Sequence, residues 1–159
     1  MIGPFSWRPL HEVSTSAQAR ALCQDLAPRV SGRASAAPAD RIAAAADRWV
    51  PTLLAARAGR VGPVPDVVVW PETLDEVVAV TRYAADASVP LVPCGGGSSA
   101  TGAPLALHGG IALDLKRLAR LGPIDRDALE VECEAGVVGA VLERRLAREG
   151  LTLGHSPDD

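Results

Sequence analysis

Several patterns that mark whole classes of protein are missing from this chain. Lysine occurs once, at Lys116, and the arginines form no basic block, so no nucleic-acid partner is expected. No stretch approaches the roughly 20 consecutive apolar residues of a membrane span. Residues 1–13 lack a long apolar core, which argues against a secretory signal. These absences point away from nucleic-acid-binding, membrane-spanning and secreted proteins.

Cysteine is scarce as well. Cys23, Cys94 and Cys133 lie far apart and form no Cys-x-x-Cys pair, which argues against a metal site and against a disulfide framework. A reduced, cytoplasmic protein fits this pattern. The remaining composition is typical of a globular domain, with 159 residues, of which 48% are hydrophobic and 22% charged, and a net charge of −3.

The chain changes character near residue 63. Before that point, a hydroxyl residue within positions 14–16 is predicted to cap a helix that runs to about residue 27. A second helix is predicted to start near Asp40 and to run to Trp49, with Pro51 interrupting it and residues 52–60 resuming it. We therefore predict an N-terminal helical extension over residues 1–62 and a second domain over residues 63–159.

Strands and helices alternate after residue 63. Residues 66–70 are β-branched and apolar, which predicts a buried parallel strand. Thr73 and Glu76 form a capping box at the start of a helix that ends near residue 88. Further strands are predicted at residues 89–92 and 111–115, with a parallel, right-handed first crossover. The predicted apolar stripe of the helix is Leu74, Val77, Val78, Thr81 and Ala85.

Apolar residues alternate with three glutamates over residues 129–134, which predicts a strand with one solvated face. Leu129, Val131 and Cys133 are predicted to face inward. We interpret the glutamates as surface residues and not as acid–base catalysts. A helix is predicted over residues 137–149, with Gly150 as its C-terminal cap.

The most informative segment is the glycine-rich run at residues 93–102. Three consecutive glycines reach backbone angles closed to other residues, so the loop can present several N–H groups to one anion, usually a phosphate. Ser98, Ser99 and Thr101 can add hydroxyl donors. The alternative interpretation is a flexible surface turn.

Two common phosphate loops do not fit this run. A P-loop requires lysine after its second glycine, but Ala103 follows Gly102. A Rossmann loop opens into a helix, and Pro104 with the glycine pair at residues 109–110 leaves no room for one before the next strand. The loop therefore belongs to neither class.

Four segments carry a resemblance to a known family. They are Pro-Asp-Val-Val-Val-Trp-Pro-Glu at residues 65–72, Val-Pro-Cys-Gly-Gly-Gly-Ser-Ser at 92–99, Glu-Ala-Gly-Val at 134–137 and Gly-His-Ser-Pro-Asp at 154–158. In this order they resemble the flavin-binding domain of the vanillyl-alcohol oxidase and p-cresol methylhydroxylase (PCMH) superfamily, over about residues 40–158. The most similar branch contains alkyldihydroxyacetonephosphate synthases and glycolate-oxidase-like 2-hydroxyacid dehydrogenases.

The resemblance implies an α+β fold, a PCMH-type FAD-binding domain of which this chain carries the first βαβ subdomain and the start of the second. In that family FAD lies between the two parts and the glycine loop wraps its pyrophosphate. His155 becomes either a neighbour of the flavin ring or an ordinary loop histidine. The implied cofactor-binding residues are Pro93, Cys94, Gly95, Gly96, Gly97, Ser98, Ser99 and Gly102 in the loop, with His155, Pro157 and Asp158 in the segment near the flavin ring.

Two departures from the family pattern carry expectations. Relatives with covalent flavin have histidine where this chain has Ser98, so non-covalent FAD is implied. The family continues beyond the position of Asp159 into a Ser-Thr-x-Gly-Gly motif and a substrate-binding cap. Because its catalytic residues lie in that later part, none is assigned here.

The resemblance implies a function in an FAD-dependent oxidoreductase that acts on a small-molecule substrate. Both 2-hydroxyacid oxidation and alkylglycerone-phosphate synthesis remain open. The alternatives are a non-catalytic, truncated or partner-dependent fragment, and an unrelated nucleotide-binding module that shares a glycine loop. Residues 1–159 alone are expected to bind FAD weakly and to be inactive. They are also expected to be poorly soluble, to self-associate or to depend on a second polypeptide.

Overall fold

The computed structural model describes residues 6–155, which form five α-helices and eight short strands. In chain order they are β1 (Arg8–Pro9), α1 (Ala17–Leu26), β2 (Ala34–Ser35), α2 (Pro38–Ala44), α3 (Val50–Arg57), β3 (Arg60–Val61), β4 (Val67–Val69), α4 (Leu74–Asp86), β5 (Leu91–Cys94), β6 (Ile111–Asp114), β7 (Leu121–Asp125), β8 (Glu130–Cys133) and α5 (Gly139–Ala147). The mixture of helices and sheets agrees with the predicted α+β class.

A four-stranded sheet forms the centre of the fold, with the order β2-β4-β6-β5. Strands β4, β6 and β5 are parallel, and β2 adds an antiparallel edge. The three predicted strands are present, with β5 two residues later than predicted, and the predicted parallel direction of β4 and β5 is confirmed, but β6 lies between these two strands that α4 connects. Because parallel strands end at the same sheet edge, the loop after β5 and the turn after β6 emerge side by side.

Helix α1 packs on this sheet. The Ser16 hydroxyl accepts a hydrogen bond from the Ala19 amide at 3.0 Å, which confirms the predicted N-terminal cap. Its buried face joins one core with the sheet and α4: Ala19, Leu22, Leu26, Val67, Val69, Val80, Ala84, Ile111 and Leu113. The division at residues 62 and 63 stays a prediction, and both sides of it contribute to this core.

The predicted second helix is wrong in its bounds. Helix α2 ends at Ala44, and α3 begins at Val50 with Pro51 in its first turn. Proline is tolerated there because the first amides of a helix have no intrahelical acceptor, so the missing N–H costs no hydrogen bond. The helix expected after Pro51 is thus present as α3, with Pro51 inside its first turn, and the interruption falls at residues 45–49, which form a connection.

Helix α4 begins as predicted, but of its predicted apolar stripe Val77 packs against the core while the other four residues are exposed. Thr73 Oγ1 accepts from the Glu76 amide at 3.2 Å, and Glu76 Oε2 accepts from the Glu72 amide at 2.7 Å, one residue earlier than in a standard capping box. Val80 and Ala84 are buried, whereas Leu74 is 71% exposed. The true inward face is rotated relative to the predicted one.

A separate two-stranded sheet, β7 and β8, leads into α5. The strand at β8 was predicted, but Leu129 is 75% exposed and Cys133 is exposed, so the predicted inward face is wrong. Only Val131 is partly buried there. Within α5, the side chains of Leu142 and Leu146 are buried.

The end of α5 follows the prediction. Gly150 has φ +71°, and the Leu151 amide donates to the Leu146 carbonyl at 3.1 Å, as in a glycine-capped helix end. Within residues 6–155, no helix is long and apolar enough to cross a membrane. The same residues contain no group of three or more His, Cys, Asp or Glu side chains that could hold a metal ion.

Candidate functional site

The glycine loop starts at the carboxyl end of β5, beside the end of β6. The Leu115 amide donates to the Cys94 carbonyl at 2.8 Å and extends the parallel pairing to the first residue before the glycines. Gly97 and Gly102 have φ of +76° and +79°, in the left-handed region that favours glycine. These two residues let the chain turn sharply at the sheet edge.

The backbone donors of the loop are available to a ligand. In the described part of the chain, no protein group accepts a hydrogen bond from the amides of residues 95–99. Ser99 differs from its neighbours because its hydroxyl accepts from the amides of Thr101 and Ala103, at 3.3 and 3.2 Å, and stabilises the following turn. Ser98 is exposed and makes no such contact with any described residue.

Two cavities lie against the loop. One, of about 210 Å³, is lined by Pro93, Cys94, Gly95, Gly96, Gly97, Ser98, Ser99, Ala103 and Pro104. The other, of about 230 Å³, lies between Gly96, Gly97 and the connection before α3, and includes Arg48 and Lys116. Seven of the eight predicted loop residues therefore line a cavity, and the eighth, Gly102, lies in the turn behind them. Two cationic side chains accompany the unbonded amides.

Lys116 is held by an aspartate that sequence reasoning missed. Asp114, the last residue of β6, is 5% exposed, and its carboxylate lies 3.0 Å from Lys116 Nζ. It also accepts from the Trp70 indole N–H at 3.1 Å and from the Lys116 backbone amide at 3.1 Å. The sequence signal for it was weak, a single Asp-x-Lys at the end of an apolar strand. Trp70 thereby connects the first family segment to the loop region.

The third family segment also reaches this edge. The Gly136 amide donates to the Leu118 carbonyl at 2.7 Å, and the Ala135 carbonyl oxygen lies 3.8 Å from the position that a Cβ on Gly95 would occupy. Arg120 donates hydrogen bonds to Glu134 from its side chain and its backbone, and these lower the pKa of that carboxyl below its usual value. Glu134 is thus paired with Arg120, and its interpretation as a non-catalytic residue stays a prediction.

Of the fourth family segment, the structure describes Gly154 and His155. His155 is exposed, and no hydrogen bond or salt bridge joins it to another residue within 6–155. Pro157 and Asp158 lie outside the described residues. Their role near a flavin ring stays a prediction.

Cys94 is the only reactive side-chain type among the cavity-lining loop residues. Burial raises the pKa of its thiol, and the nearby Asp114 carboxylate raises it further, so the thiol form dominates at neutral pH. The side chain therefore contributes shape to the loop and not a nucleophile.

These residues fit a diphosphate. Unbonded amides at five consecutive positions and a neighbouring lysine are the donor set that phosphate oxygens take, and Gly96 has nothing within 4 Å of a would-be Cβ. FAD would meet the loop at its pyrophosphate, where the protein's part is binding and orientation and the isoalloxazine supplies the redox chemistry. Each cavity is smaller than the roughly 300–1,000 Å³ of typical small-molecule sites. The loop can thus hold part of the cofactor.

Comparisons with known proteins identify the family and the fold. A family profile described as "FAD binding domain" matches residues 65–159. Alkyldihydroxyacetonephosphate synthase of Caenorhabditis elegans is 37% identical over 106 residues, which cover 64% of this chain and 18% of that protein. Mitochondrial D-lactate dehydrogenase [cytochrome] of Arabidopsis thaliana is 33% identical over 94 residues, 59% of this chain and 17% of that protein. The chain thus spans less than a fifth of the length of these curated relatives.

Solved structures share the fold. A structure of alkyldihydroxyacetonephosphate synthase matches with a TM-score of 0.81 at 24% identity, covering 95% of this chain and 32% of that chain. Substrate-bound p-cresol methylhydroxylase matches with a TM-score of 0.63 at 16% identity, covering 92% of this chain and 27% of that chain. The profile match shows that the chain belongs to the FAD binding domain family and carries part of that domain, and the two solved structures share its fold.

Proposed function

We propose that this chain supplies the pyrophosphate-binding part of the FAD site in an FAD-dependent oxidoreductase. The observation that carries the proposal is the row of amides at residues 95–99, which belong to residues that line a cavity and which have no acceptor within the described protein. Lys116 and Arg48 line the adjoining cavity together with one carboxylate, that of Asp47. The relatives named alkyldihydroxyacetonephosphate synthase and D-lactate dehydrogenase supply the enzyme class.

In the complete enzyme, cofactor binding and substrate contact would belong to different segments of the chain. The glycine loop binds and orients the cofactor, and the residues that contact the substrate lie elsewhere, so the chain itself carries no assigned catalytic residue. Substrate, either a 2-hydroxy acid or an alkylglycerone-phosphate precursor, and self-association stay predictions. The cytoplasmic location expected from the unpaired cysteines is likewise a prediction.

The test is a titration of the ¹⁵N-labelled chain of residues 1–159 with FAD, in which the chemical shifts of the backbone amides are measured by NMR. We expect saturable shift changes centred on residues 95–99, with a dissociation constant weaker than about 10 μM because the cavities contact only part of the cofactor. Riboflavin, which lacks the pyrophosphate, is the matched control ligand and should leave these amides unchanged. Equal shifts with riboflavin, or none with millimolar FAD, would contradict the proposal.

The flavin is expected to be held without a covalent bond. Ser98, at the position of the histidine in relatives with covalent flavin, has a hydroxyl and no imidazole nitrogen to attach to the isoalloxazine. After incubation with FAD and acid precipitation, all yellow colour should appear in the supernatant. Flavin fluorescence that stays with the protein band on a denaturing gel would show this prediction to be wrong.

A further inference from the structure

The connection between α2 and α3 lies against the glycine loop. The Arg48 amide donates to the Ser99 carbonyl at 2.8 Å, and the Gly102 amide donates to Asp47 Oδ2 at 2.9 Å. The Ala46 carbonyl oxygen lies 3.4 Å from the position of a Cβ on Gly97. These contacts come from a segment that precedes residues 65–159, the part matched by the family profile. The loop is therefore supported from outside that region.

The central group in this contact is the Asp47 carboxylate, which is 6% exposed. Oδ1 accepts from the Trp49 amide at 3.2 Å within the connection itself, and Oδ2 accepts from Gly102 across it. Hydrogen bonds to an ionised carboxylate are roughly twice as strong as neutral ones. The connection thus meets the loop at both of its left-handed glycines, Gly97 and Gly102.

We propose that Asp47 is a positioning residue for FAD, which holds the glycine loop in the conformation that leaves the amides of residues 95–99 free for the pyrophosphate. This inference rests on the proposed function. A glycine-rich loop loses much conformational entropy when it is ordered, so ordering before binding strengthens binding. Without the carboxylate the loop can turn these amides toward its own carbonyls or toward water.

A simpler view of Asp47 makes the opposite prediction. A carboxylate close to a diphosphate repels it, so the removal of the charge should strengthen FAD binding if the side chain has no positioning role. The two views therefore differ in the sign of the effect.

Asp47→Asn is the variant that separates them. Its amide oxygen can keep the bond to the Trp49 amide, but its NH₂ group cannot accept from Gly102. We expect about tenfold weaker FAD binding in the amide-shift titration, in line with one hydrogen bond to a charged group. In Asp47→Ser the hydroxyl can still accept from the Trp49 amide but is too short to reach the Gly102 amide, so a similar loss of FAD affinity is expected. This variant replaces Asp47→Asn if the latter does not fold. Asp25→Asn is the matched control, since it removes the same charge from a carboxylate bound to Tyr83.

Hydrogen exchange of the backbone amides distinguishes a local loosening of the glycine loop from a general loss of stability. In Asp47→Asn the Gly102 amide should exchange faster, while the amides of β4 and β6 exchange as in the wild-type chain. Wild-type affinity, or tighter binding, in both Asp47 variants overturns the positioning role and leaves the proposed function standing. Failure of the proposed function looks different, because FAD then leaves the loop amides of the wild-type chain unshifted, and the positioning role is overturned with it.

Discussion

Replacement of Gly136 by alanine is expected to lower the free energy of unfolding by about 3 kcal/mol, the upper part of the usual range for overpacked sites. A Cβ at this position would overlap the Leu115 carbonyl oxygen and lie 2.7 Å from that of Leu118. Both neighbours are backbone atoms, which cannot swing away as a flexible side chain can. The turn at residues 134–136 would have to move away from the end of β6.

Gly139→Ala is the matched control for this prediction. The same methyl group is added three residues later, at the first position of α5, where nothing lies within 4 Å of it. Alanine favours a helix by about 0.5–1 kcal/mol over glycine, so this variant should be as stable as the wild-type chain or slightly more so. Urea denaturation followed by circular dichroism measures both, and equal midpoints for the two variants would refute the expected clash.

Gly96→Val is expected to abolish the FAD-induced shifts at residues 95–99, with affinity at least about tenfold lower, or 1.4 kcal/mol. The site of substitution is open in the free protein, since nothing lies within 4 Å of a would-be Cβ and the residue is exposed. The two methyl groups of valine would stand where phosphate oxygens must approach the backbone. Loss of binding should therefore occur with an unchanged unfolding midpoint.

The control for Gly96→Val is Gly139→Val, which adds the same branched side chain at another open position, in α5. It should leave the titration with FAD unchanged. If Gly96→Val binds FAD as the wild-type chain does, the glycine run serves only as a turn, which was the alternative interpretation of the sequence.

Local signals predicted the local structure well. Ser16 and Thr73 each stand one residue before a helix and accept from the third residue after them, so a hydroxyl before an amphipathic stretch was enough to place both helix starts. The β-branched run at residues 66–70 likewise gave β4. Such features depend on neighbours in the sequence and need no knowledge of the rest of the fold.

Features that depend on distant contacts were predicted less well. The stripe of α4 was misplaced because several of its faces carry apolar residues, and only packing against β4 and β6 selects Val80 and Ala84. β7 was missed because Gly122 and Pro123 lie within it and disfavour a strand. Neither the buried face of α4 nor the presence of β7 could be predicted from composition alone.

The candidate site likewise contains features that the local sequence predicts and features that depend on distant contacts. The glycine run is easily recognised in the sequence as a candidate anion-binding loop, although of its three successive glycines only Gly97 has a left-handed φ. No sequence pattern distinguishes Asp47 or Asp114 from other acidic residues. Their roles become visible only in the fold, which places Gly102 beside Asp47 and Trp70 beside Asp114. Sequence reasoning therefore found the backbone donors and missed the side chains that hold their surroundings.

The position of β6 between β4 and β5 has a consequence for how the protein is made on the ribosome. Strand β4 can pair with β2 as soon as it emerges, but β5 has no strand partner until residues 111–114 have been synthesised. At about 5–20 residues per second, translation of the glycine loop and its connection takes on the order of a second. During that interval the nascent chain exposes the unpaired edge of β5, and the last strand to arrive both completes the sheet and fixes the start of the glycine loop.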